Sequence, residues 1–126
     1  MKNLTFLFIL FLALQSFGQN HEINKVDVLG CWTDSSEENT NTCINVYRPC
    51  DFKTFPASRF RFKMVLKKEG TCSWYYLAPN DGHFMKDGTW TFNNEKKVLK
   101  IFNMNNEEVK SFKIEQVAEN ILKIEN

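Results

Sequence analysis

The chain has 126 residues, with 16 basic and 15 acidic side chains, two histidines and four cysteines. That length suits one small domain, and a near-neutral balance with no basic block argues against nucleic acid as a partner and against a membrane surface. No closely spaced Cys or His pairs of the kind that hold zinc are present, so neither a metal nor a cofactor is expected.

In chain order, the first element is an export signal. Met1 and Lys2 give a positive start, residues 4–14 are apolar apart from Thr5, and Ser16-Phe17-Gly18 places small residues at the two positions a signal peptidase reads. The run is too short to remain in a bilayer as a spanning helix. Residues 1–18 are therefore expected to be removed, leaving a soluble mature chain from Gln19 that is secreted or periplasmic. Taking 18 residues from 126 leaves 108; Lys2 is the one charge lost, so 15 basic side chains then face 15 acidic ones. No stable membrane insertion and a monomer are expected. Residues 19–28 read as a polar linker, and residues 29–126 as a single domain.

Within that domain, short runs of β-branched and aromatic residues recur between turn signals. The runs fall at 29–35, 43–47, 59–67, 72–77, 88–92, 98–104, 109–116 and 121–125. The third alternates cleanly, with Phe60, Phe62, Met64 and Leu66 on one face and Arg59, Arg61, Lys63 and Lys67 on the other. Residues 49–58 and 78–87 read as irregular loops, the second carrying the strong turn sequence Pro79-Asn80-Asp81-Gly82. In the seventh run Phe112 and Ile114 face in, while Ser111, Lys113 and Glu115 face out. Eight runs joined mostly by short turns predict an all-β fold, a single eight-stranded antiparallel up-and-down barrel.

The opening Gly30-Cys31-Trp32, a variant of G-x-W, the eight-strand count and Gly88-Thr89-Trp90 resemble bacterial lipocalin-like, calycin-type domains. Further segments resemble a group of small exported proteins of that class. They are Trp32-x-x-Ser35-x-Glu37-Glu38, Tyr47-Arg48-Pro49, Phe55-Pro56-x-Ser58-Arg59-x-Arg61 and Ala78-Pro79-Asn80-Asp81-Gly82-His83. The resemblance runs over residues 29–125 and implies non-catalytic binding of a small hydrophobic or amphipathic ligand.

An even cysteine count in a short exported chain reads as two disulfides. In up-and-down order Cys31 and Cys50 fall near one end of the barrel, and Cys43 and Cys72 near the other. This favours Cys31–Cys50 with Cys43–Cys72, against the competing scheme of Cys43–Cys50 with Cys31–Cys72.

Three groups of side chains are candidate ligand contacts. Trp32, Trp74, Trp90 and Tyr76 either line a pocket or fill the core, where large aromatics usually go. Tyr47, in the Tyr47-Arg48-Pro49 segment, joins them. Arg59 and Arg61 have the forked donors to grip an anion, but alternation turns both outward, where they would pair with Glu37, Glu38 or Asp51. Asp81 and His83 suggest acid–base chemistry, yet the pair lacks a third metal ligand and an obvious nucleophile, and the sequence around them is that of a turn. No catalytic residue is assigned, and an enzyme is not expected. A ligand carrier predicts a closed cavity lined by tryptophan. The alternative, a protein-interaction module such as an inhibitor or envelope factor, predicts a filled interior and an exposed apolar patch on the 49–58 or 78–87 loops.

Overall fold

Alternation along each strand sends every second side chain to one side of the sheet, and here that side closes on itself. The structure, a computed structural model, describes residues 22–126; the expected signal over 1–18 lies outside them. Eight strands are formed: β1 (Gly30–Asp34), β2 (Ile44–Pro49), β3 (Lys63–Leu66), β4 (Thr71–Leu77), β5 (His83–Asn93), β6 (Val98–Phe102), β7 (Glu108–Ala118) and β8 (Ile121–Glu125). They make a closed antiparallel barrel in the order β1-β2-β8-β7-β6-β5-β4-β3. The expected all-β barrel of eight strands is therefore present.

Strands β3 to β8 form a meander in which each lies beside the next. The β1–β2 hairpin completes the ring, with β1 against β3 and β2 against β8. Both β2 and β3 run antiparallel to β1, so residues 50–62 must return the chain along the barrel between them. That return takes up the first part of the expected 59–67 strand, leaving only Lys63–Leu66 in β3. At the other loop the opposite happens. Leu77 pairs with His83, so a short turn at 78–82 suffices and β5 starts at His83 rather than Gly88.

The inward face is built of large side chains in register. Trp32 stands across from Met64 and Met64 from Trp74; Trp90 faces Ile101 and Ile114 faces Ile124. All are nearly or fully buried, in one cluster with Leu66, Leu99 and Leu122. Gly88 sits within this packing because nothing larger fits. A Cβ there would come 2.0 Å from the Phe102 carbonyl oxygen and 2.8 Å from the Trp74 ring.

Residues 22–28 are not a free linker. A 3-10 turn at Lys25–Val28 packs against the end of the barrel where β1 begins, burying Ile23 and Val28 in the core. Trp32 Nε1 donates to the Val28 carbonyl at 2.9 Å, and Lys25 Nζ lies 4.8 Å from the centre of the Trp90 ring. Its polar composition predicts a linker, but Ile23 and Val28, two isolated apolar positions, anchor it to the core.

Of the expected bridges, Cys31–Cys50 forms. The second does not: Cys43 and Cys72 are free thiols, one exposed and one buried. Strands β1 and β3 both lie between β2 and β4 in the ring, and Cys72 points into the core, so Cys43 cannot reach it. The alternative pairing is ruled out by the Cys31–Cys50 bond itself. Burial, then the charge of Asp87, push the Cys72 thiol up to about 11.

Candidate functional site

Exposure of the inward side chains rises toward the end of the barrel opposite the N-terminal segment. Along β5, Trp90 is 2% exposed, Lys86 is half-buried and Phe84 is 48% exposed. Along β7, Ile114 is buried, while Phe112 and Lys110 are half-buried. Along β4, buried Trp74 gives way to half-buried Tyr76. This end therefore has a wall of aromatic residues with polar groups set among them.

Two of those polar groups are lysines at core-facing positions. Lys86 pairs in register with Trp74, and Lys110 with Ile101, so both project to the inward side of the sheet. Lys86 Nζ lies 3.8 Å from the centre of the Tyr76 ring, and Lys110 Nζ 4.8 Å from that of Phe62. Such contacts hold a cation over the negative face of a ring while leaving its N–H donors available. Neither lysine makes an ion pair among the described residues. Phe62 also packs edge-on against Tyr47 and tilted against Phe112, which joins the aromatic residues into one surface.

The third polar group is Asp34, opposite Tyr47 in the β1–β2 register. Its Oδ1 is buried and has no hydrogen-bond partner among the described residues. Burial raises its carboxyl above the usual carboxylate range, against the opposing pull of the Arg61 charge. Burial, and then the Asp34 charge, likewise push the Tyr47 phenol up. A buried acceptor left unpaired in this way is uncommon.

The candidates from the sequence separate into three fates. Trp32, Trp74 and Trp90 are core, at 2–4% exposure, rather than the lining of a cavity. Trp90 is further fixed by its Nε1, which donates to the Lys67 carbonyl at 2.9 Å. Tyr47 is core as well, at 6% exposure, and Tyr76 belongs to the open end. The remaining four sit on the outside or in loops. Arg61 donates to the carboxylate of Glu37 and to the carbonyls of Asp34 and Pro56, so its guanidinium holds the 50–62 segment in place. Arg59 and Asp81 form an exposed ion pair at 3.6 Å. His83 Nδ1 lies 3.0 Å from the Tyr75 hydroxyl, on the outer face, with Phe60 packed edge-on against the ring. Asp81 adopts φ 64 within the turn, where an Asp is tolerated.

Lys86, Lys110, Asp34, Phe62 and Phe112 were not singled out from the sequence as contacts. The signal was in the parity. Lys86 is in phase with Gly88, Trp90 and Phe92, and Lys110 with Phe112 and Ile114, so each is a charge on an apolar face.

An open hollow of about 440 Å³ also lies beside the Cys31–Cys50 bond, between residues 29–32 and 49–51. Among the described residues no group of three or more His, Cys, Asp or Glu side chains is placed to hold a metal ion. No known family, curated protein or solved structure matches the chain.

Proposed function

We propose that the protein is an exported, non-catalytic binding protein of lipocalin-like type that takes a small amphipathic molecule at the open end of its barrel. The apolar part of the ligand rests on Tyr76, Phe84 and Phe112, and an anionic head group meets Lys86 and Lys110. The observation that carries this reading is the placement of both lysines on the core-facing side over aromatic rings. Both ammonium groups lie over rings at half-buried positions and make no ion pair among the described residues, so their N–H donors are free to meet an anionic head group.

Export rests on the sequence of residues 1–18 and is supported by the Cys31–Cys50 bond, since such bonds persist in oxidising compartments. No helix among the described residues is long and apolar enough to cross a membrane. The outer faces of the strands carry ion pairs such as Lys100–Glu108 and Lys113–Glu125, which does not suit a surface facing lipid.

A second reading, a protein-interaction module acting through its loops, draws on two observations. The interior is filled by tryptophan, and the β4–β5 hairpin exposes Leu77 and Met85 on its outer face and Phe84 on its inner face. Native mass spectrometry of the protein purified from its export compartment, before and after denaturation, separates the two. Release of an anionic amphiphile supports the ligand reading. A bare chain that co-purifies with a stoichiometric protein partner supports the second.

A further inference from the structure

A separate feature lies on the outside of the barrel. Alternation along β2 sends Tyr47 inward and leaves Ile44, Val46 and Arg48 facing out, with Val46 beside Lys123 of β8 in register. The segment after β1 folds back over this face. Asn39 Oδ1 accepts from the Val46 backbone N–H at 2.8 Å, and Asn41 Oδ1 accepts from those of Cys43 and Ile44. The result is a groove of about 380 Å³ across β2, β8 and β7, roofed by Thr40 and Asn41 and floored by Ile44, Val46 and Ile121. Volumes of this order suit a small molecule.

The charges around the groove fall into two classes. Arg48 and Glu38 are committed to each other. Arg48 Nε and Nη2 donate to the Glu38 carboxylate at 3.0 and 2.9 Å, while Nη1 donates to the Asn120 carbonyl. The Ser35 hydroxyl also donates to Glu38, so this pair forms a fixed wall. Lys123 and Glu115 make no ion pair, with each other or with any described residue. They are opposite in sign and both line the groove.

The backbone contributes as well. The β7–β8 register shifts between Ile114 and Gln116, which makes Glu115 an extra residue in β7. Without that bulge Gln116 would point into the core. With it, Glu115 and Gln116 both face the groove, and Val117 returns to the buried side. Bulges of this kind re-aim side chains.

We propose that this outer groove is a second binding site, for a small zwitterion with an apolar body, such as a short apolar peptide. Its carboxylate pairs with Lys123, its ammonium with Glu115, and its side chains cover Ile44 and Ile121. The site is independent of the open end, which lies on the inner side of the sheet.

The test is a titration of the protein with leucyl-leucine, followed by backbone amide shifts in two-dimensional NMR. Saturable shifts at Ile44, Val46, Gln116 and Lys123 are expected. Lys123→Gln and Glu115→Gln should each weaken binding by roughly tenfold, the effect of losing one charge-assisted contact. Both positions are at the surface, and an unchanged spectrum elsewhere confirms that each variant is folded. The dipeptide capped by acetylation and amidation should bind correspondingly less. No saturable shift at millimolar dipeptide would overturn the proposal, as would shifts confined to Lys86 and Lys110 or equal binding of the capped form.

Discussion

The two ends of the barrel use the same kinds of residue to opposite effect. At the end where β1 begins, Ile23 and Val28 are pressed into the core, both indole N–H groups nearby are satisfied by backbone carbonyls, and a disulfide joins β1 to the residue after β2. At the other end Tyr76 and Phe112 stay half-buried, lysines lie over the rings of Tyr76 and Phe62, and a buried Asp34 carboxyl oxygen has no partner among the described residues. Stability is concentrated at one end, and unsatisfied groups are left at the other. A core filled by three tryptophans leaves the interior to packing rather than to a ligand, so the proposed site falls at the open end.

The contrast can be broken most strongly from the closed end. Trp90→Ala removes a buried indole and its bond to the Lys67 carbonyl, and should cost about 3–5 kcal/mol, read as a fall in the urea midpoint. Replacing Cys31 and Cys50 by alanine should cost about 2–4 kcal/mol in the same measurement. Thiol labelling of the unreduced native chain should tag Cys43 at once and Cys72 only after denaturation. Labelling of neither would mean that these two are bonded after all.

A smaller effect comes from the fold-back over the outer groove. Hydrogen bonds from Arg48 and then from Ser35 hold the Glu38 carboxyl down at about 2, against an ordinary value of 4.5. A depressed folded-state value stabilises the fold above the unfolded value and stops doing so as the carboxylate is protonated. Stability should therefore decline as pH falls from 4.5 toward 2, and Glu38→Gln should flatten that part of the curve. An unchanged acid limb in the variant would show that the Glu38 contacts contribute nothing. The smallest effect on stability is expected at the open end, where Lys86→Gln with Lys110→Gln should change it by less than about 0.5 kcal/mol, as measured by urea unfolding.

Much of the barrel was legible because β-structure writes itself as alternation. Phe62, Met64 and Leu66 declared an inward face, and Trp90 and Ile114 did the same for their strands. Closure was harder to read. Nothing local in residues 50–62 states that they return along the barrel, since that follows from β1 pairing with both β2 and β3. The same long-range fact separates Cys43 from Cys72. The candidate site is legible only in part, because the residues of conspicuous chemistry, such as His83 and Arg61, have local roles. Lys86 and Lys110 are ordinary residues in unusual phase, and their meaning appears only once the inward face is known.

The most direct test of the open-end site is a calorimetric titration of the protein with dodecanoate, beside the Lys86→Gln, Lys110→Gln variant. Saturable binding that weakens by roughly tenfold or more in the variant, at unchanged stability, is the predicted result. Equal binding by both proteins, or none by either, would contradict it.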